Sequence, residues 1–179
     1  MLLIISFLGS FLAGTLPALH QARELLVGRG MAVLGLWALL NLGLGAWLAF
    51  RTFRAEGQRE AFYFHLMNAG WGLVNAALAG AALLVPTPGL PPTPTLAALL
   101  TEQLRLENLL LLNTGLDVAY VMTGCWLRAR AGLPGARQPA RLAGFGRSLW
   151  VQGGFLFLFD VGLWLAVRPF GPRLLALLP

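Results

Sequence analysis

The chain contains no lysine: all 13 of its basic residues are arginine. It holds one cysteine and two histidines in 179 residues, and only 11% of its side chains are charged. A soluble domain of this size carries roughly a quarter charged residues, so the charge deficit leaves no room for a separate soluble domain. The single Cys125 excludes an internal disulfide, and a lone thiol at the end of an apolar run is ordinarily a small hydrophobe. Neither CxxC nor HExxH spacing occurs, which removes the structural-zinc and zinc-peptidase readings. The two histidines, His20 and His65, fall on opposite sides of the apolar core, so a haem held by two histidines is not expected either. The formal charge of +6 would suit nucleic acid. The arginines, however, sit between hydrophobic runs, and no basic stretch is long enough or aromatic enough to form a groove. Arginine-only usage with abundant alanine, leucine and glycine fits a GC-rich genome and a thermophilic origin.

What fills the chain instead is apolar, 58% of residues. A helix needs about 20 apolar residues to cross a bilayer core, and four runs satisfy this: Met31–Phe50, Ala61–Val85, Leu106–Leu127 and Leu149–Val167. The expected fold is therefore all-α, an antiparallel four-helix membrane bundle over residues 31–168. A fifth run, Met1–Leu19, is uncharged but contains Gly14 and Pro17. It reads as a signal peptide ending near Leu16-Pro17-Ala18 or as an uncleaved signal anchor. The missing basic start favours retention as an extra N-terminal hydrophobic helix. Residues 20–30 then form an outer linker, and 169–179 a C-terminal tail.

Arg51, Arg54 and Arg59 lie in one loop and Arg128, Arg130, Arg137, Arg141 and Arg147 in another, against five arginines in all other segments. The positive-inside bias puts loops 51–60 and 128–147 in the cytoplasm, which for a bacterial protein means the inner membrane. Opposite them, Pro86–Pro94 is proline-dense, hence stiff and non-helical. Thr95 follows as an N-cap for a helix from Leu96 to Arg130. The glycine-, proline- and arginine-rich Ala131–Gly146 reads as a surface turn or tether.

Each core run carries an Asn or Asp near its middle: Asn41, Asn75, Asp117 and Asp160. Trp37, Trp71 and Asn113 each precede one of them by four residues, on the same helix face. The stripes extend through His65, Asn68 and Gly72 in the second run, Gln103 and Tyr120 in the third, and Gln152 and Trp164 in the fourth. Antiparallel order puts the Asn/Asp set at the midplane, His65, Asn68, Tyr120 and Gln152 in a cytoplasmic layer, and Glu107, Asn108 and Trp164 toward the outer surface. A central Asp facing lipid costs about 2.5–3.5 kcal/mol on insertion scales, so these side chains must turn inward and find partners. No arginine lies inside a core run. The aspartates must therefore be protonated, bind an external cation, or accept hydrogen bonds from amide and indole N–H groups.

Three readings stay open. The ladder is a packing layer that sets helix register; it is a cavity for a cation, proton or small polar ligand; or it is an acid–base site using Asp117, Asp160, His65 and Tyr120, although nothing fixes a nucleophile. In the cavity reading Asp117 and Asp160 converge, with Asn41, Asn75 and Asn113 as neutral ligands and His65, Asn68, Tyr120, Gln152, Trp37 and Trp71 around them. An accessory-subunit reading adds another membrane protein or a second copy as partner beside the lipid bilayer. Gly70, Gly72, Gly153 and Gly154 read as close-packing sites between helices.

The strings FHLMNAGWGLVN (Phe64–Asn75), NTGLDVAY (Asn113–Tyr120) and GFGRS (Gly144–Ser148), followed by QGGF (Gln152–Phe155) and Phe159-Asp160, resemble an uncharacterised family of small bacterial membrane proteins. The resemblance runs from about Gly30 to Val167. It implies a membrane bundle defined by its polar ladder, often with a signal-like start, and it implies no activity.

Overall fold

The computed structural model describes the backbone of residues 2–84 and 94–178, and side chains from residue 16 onward within them. Among the described residues five helices follow in order: α1 Leu2–Phe53, α2 Arg59–Leu84, α3 Leu96–Ala131, α4 Pro139–Val167 and the short α5 Phe170–Leu175. No strand occurs among the described residues. Four of the helices are long and apolar enough to cross a membrane.

Three boundaries differ from the sequence expectation. Residues 20–30 are not a linker: α1 runs through them, so no turn separates the N-terminal apolar run from the first core helix. Gln21, Ala22, Arg23, Glu24, Leu25 and Leu26 are good helix formers, and the charge that suggested a linker is bonded to α3, as described below. Of Met1–Leu19 itself, residue 1 and the side chains of residues 2–15 lie outside the described residues. Second, residues 139–146 belong to α4 rather than to the loop. Pro139 occupies the first helical turn, where its missing N–H costs nothing, and Gln138 turns the chain into it at φ 55°. Third, part of the tail forms α5, anchored by buried Phe170 and Leu174. Thr95 does cap α3, its side chain accepting from the Ala98 N–H. The proline-dense loop lies, through residue 93, outside the described residues.

α1 pairs with α2 and α3 with α4, and α4 also packs on α2 and α1. α4 is thus the central helix, burying Gly144, Ser148, Gln152, Leu156, Asp160, Leu163 and Val167 along one stripe. Glycines set the closest approaches. A Cβ on Gly72 would sit 2.5 Å from the Leu42 backbone nitrogen, and one on Gly144 would sit 2.5 Å from the Glu60 carbonyl oxygen. Gly124 and Gly146 meet backbone to backbone between α3 and α4. By contrast α2 and α3 run past each other without close backbone packing; between them Trp71 meets Tyr120 edge to face, centroids 5.0 Å apart.

Candidate functional site

The polar ladder divides into layers of different character. In the layer nearest the arginine-rich loops, Gln152 of α4 is fully buried and ties three helices together. Its Nε2 donates to Asn41 Oδ1 on α1 at 2.7 Å and to Asn68 Oδ1 on α2 at 3.0 Å. Its Oε1 accepts from Trp37 Nε1 at 3.0 Å. Ser148 Oγ donates to Asn68 Oδ1 at 2.6 Å, and Asn41 Nδ2 returns to its own helix at the Trp37 carbonyl. Trp37 stacks on Phe155 at 4.0 Å. No polar atom of these five side chains is left buried and unpaired. Such a closed network specifies one register for α1, α2 and α4.

About two turns further along α2 and α4, the arrangement changes. Asp117 of α3 and Asp160 of α4 are both buried and are neighbours across the α3–α4 contact. Gly153 of α4 packs against the Asp117 backbone, so Asp160 stands farther along α4 than the level of Asp117; because every Cα–Cβ bond tilts toward its helix N-terminus, the two side chains lean toward each other. They open on a cavity of about 310 Å³ that Trp71, Asn75, Asn113 and Tyr120 also line. Its remaining wall is apolar, with Leu34, Leu110, Leu156 and Phe159 at the floor and Val74, Leu78, Leu109 and Leu116 at the rim. No arginine lines it. Three buried polar atoms here have no hydrogen-bond partner: Trp71 Nε1, Asn75 Nδ2 and Asp117 Oδ2. The other two such atoms among the described residues, His20 Nδ1 and Trp164 Nε1, are not on this cavity. An unmet buried donor or acceptor costs roughly 1–3 kcal/mol, so three on one cavity are a marked departure from ordinary packing.

The structure thus brings Asp117, Asp160, Asn75, Asn113, Trp71 and Tyr120 to one cavity and places Asn41, Asn68, Gln152 and Trp37 in the bonded layer. Asn41 does not line the acid cavity; its side chain is held in the other layer by Gln152. His65 enters neither group; it is half-buried, with its ring against Phe64 at 5.0 Å. No cluster of three or more His, Cys, Asp or Glu side chains suited to a metal occurs among the described residues.

A third polar group closes the far end, and its centre is Arg23, within the stretch 20–30 expected to be an outer linker. Arg23 is 4% exposed. Its Nε donates to Gln103 Oε1 at 2.9 Å, and its Nη1 donates to Glu24 Oε1 at 2.7 Å. Gln103 Nε2 donates in turn to Glu107 Oε1 at 2.7 Å and to the Val167 carbonyl at 2.8 Å. The sequence signal was Gln103, which shares the α3 stripe with Leu110 and Asp117.

Fold and site together define an all-helical protein with four potential membrane spans, one bonded polar layer and one acidic cavity with unmet polar atoms. The chain belongs to a family of unknown function, DUF6992, which it matches over residues 33–161. That span includes both the bonded layer and the acid cavity and leaves out Arg23. No curated protein and no solved structure was found to match the chain.

Proposed function

We propose that this is an integral protein of a bacterial inner membrane whose acid cavity binds a small polar group, with loops 51–60 and 128–147 on the cytoplasmic side. The membrane reading is supported by the four apolar helices and by arginines lying over aromatic rings near helix ends. Arg51 lies over Trp47 at 5.2 Å, Arg128 over Trp150 at 4.7 Å, and Arg168 over Trp164 at 4.9 Å. Amphipathic side chains of these types anchor spans at the interfaces.

The observation that carries the binding reading is the set of unmet atoms at Trp71, Asn75 and Asp117. An indole N–H can only donate, so a bare cation between the carboxylates would leave Trp71 unmet. An occupant that both accepts and donates meets the whole set. Conduction is the weaker reading. The bonded Gln152 layer lies on one side of the cavity, and the buried cluster of Leu110, Leu163 and Val167 lies on the other. For the Gln152 layer alone, packing is a sufficient role, because Gln152 is bonded through both its amide oxygen and its amide nitrogen.

Asn75→Leu separates occupancy from mere looseness by the sign of its effect. In an empty cavity the change removes an unmet amide, fills space and raises stability by about 1–3 kcal/mol. In an occupied cavity it removes a contact to the occupant and lowers stability. The expected result, for protein unfolded thermally in nanodiscs of its host's own lipid extract, is a lower Tm. A raised Tm would remove the binding site.

A further inference from the structure

Resting on the reading of the cavity as a binding site, we infer that its occupant comes from the lipid phase, as a neutral amphiphile with a hydroxyl head. The hydroxyl meets the acid pair, and the tail leaves between α2 and α3.

Volume gives the first reason. A water occupies about 30 Å³ in the liquid, so a cavity of about 310 Å³ would take several. Each buried water needs two to four polar partners, and the walls offer few beyond the acid pair, Asn75, Asn113, Trp71 and Tyr120. Most of the space is bounded by hydrocarbon, and only an occupant with an apolar part fills it favourably.

Access gives the second. α2 and α3 do not pack closely, and the rim between them is formed by Val74, Leu78, Leu109 and Leu116, which are 50%, 58%, 51% and 44% exposed. These side chains face lipid in a bilayer. Toward the cytoplasm the way is filled by Trp71 against Tyr120 and by the Gln152 layer. Toward the other surface stand the Leu110–Leu163–Val167 cluster and the Arg23–Gln103–Glu107 group. The remaining way in is lateral.

Head-group chemistry gives the third. Trp71 and Asn75 present N–H donors, and the acid pair presents carboxyl oxygens. A hydroxyl accepts through its lone pairs and donates its one hydrogen, so a single oxygen answers both sides. An ammonium head answers the carboxyls and leaves both N–H groups unmet. A carboxylate or phosphate head sets a negative charge against the acid pair in a medium that screens it little.

The test uses the full chain in phospholipid nanodiscs and reads modification of Asp117 and Asp160 by mass spectrometry. Dicyclohexylcarbodiimide, which partitions into lipid, adds to a protonated carboxyl to give an O-acylisourea that rearranges to a stable N-acylurea. It is expected to label the pair, and a water-soluble carbodiimide is not. Dodecanol should then slow labelling about tenfold more than dodecylamine, dodecanoate or dodecane does, the difference made by one unmet buried hydrogen bond. Leu109→Trp, which fills the rim without touching the acid pair, should slow the lipid-soluble reagent alone.

Equal labelling by the water-soluble reagent overturns lipid entry and leaves the binding reading standing. Equal protection by all four C12 compounds overturns the hydroxyl head. Labelling that falls as the protein-to-lipid ratio rises, with no alcohol present, assigns the gap to a second copy of the chain and overturns the amphiphile. Failure of both reagents to label means the cavity admits nothing, and the binding reading falls with the inference.

Discussion

Replacing Gln152 by leucine tests whether the bonded layer holds the bundle in register. Gln152 is buried completely, so no water replaces what it loses. The change removes the bonds to Trp37 Nε1, Asn41 Oδ1 and Asn68 Oδ1. Asn68 Oδ1 keeps Ser148, which leaves two groups orphaned, the Trp37 indole and the Asn41 carbonyl. At about 1–3 kcal/mol for each orphan, the loss is roughly 2–6 kcal/mol. Interhelical bonds in membrane proteins average nearer 0.6 kcal/mol, and three of them give about 2 kcal/mol. The added apolar surface returns little, since lipid is as apolar as leucine. The expected loss is therefore about 2–4 kcal/mol, read as unfolding free energy by denaturant titration in bicelles. Adding Trp37→Phe and Asn41→Leu removes the orphans along with their partner and should restore part of that loss. A Gln152→Leu variant within about 0.5 kcal/mol of wild type, or a triple variant worse than the single, would refute the reasoning.

The helix approaches predict a contrast between glycines. Gly72→Ala puts a methyl 2.5 Å from the Leu42 backbone nitrogen and should cost about 1–3 kcal/mol by forcing α1 from α2, whereas Gly43→Ala, with nothing within 4 Å, should be neutral or stabilise by up to about 1 kcal/mol; paired melting curves decide it. For orientation, cysteines introduced singly at Arg54, Arg137 and Thr93 in a Cys125→Ser background should react with an impermeant thiol reagent in intact cells only at Thr93. The reverse pattern overturns the arginine-based topology.

The parts of this protein legible in the sequence were those that are rare in lipid. Asp117, Asp160, Asn75 and Asn113 stood out because polar side chains at helical spacing within apolar runs are expensive, and those four line one cavity. Asn41 looked equivalent, with a tryptophan four residues before it as Asn75 has. Its neighbours depend on how α4 slides against α1, and Gln152 sets that register, which periodicity does not encode. Residues 20–30 hid their helix for the opposite reason. Charge in a membrane chain reads as loop, and nothing local reveals that Arg23 is answered by Gln103 on a helix 80 positions away. Glycine and proline between 131 and 146 suggested loop throughout, although a proline in the first turn and glycines facing another backbone are both at home in α4. The separation of α2 from α3 left no trace in either helix, because leucines facing lipid and leucines facing a gap are the same residues.

The most direct test of whether the acid cavity holds an occupant is an experimental structure of the protein determined in its host's own lipids. The expected result is non-protein density within hydrogen-bonding distance of Trp71 Nε1, Asn75 Nδ2 and a carboxyl oxygen of the Asp117–Asp160 pair, extending between α2 and α3, with the Gln152 layer dry. Helices α2 and α3 closed on each other, with Trp71 and Asn75 donating to the aspartates and no density between them, would contradict it.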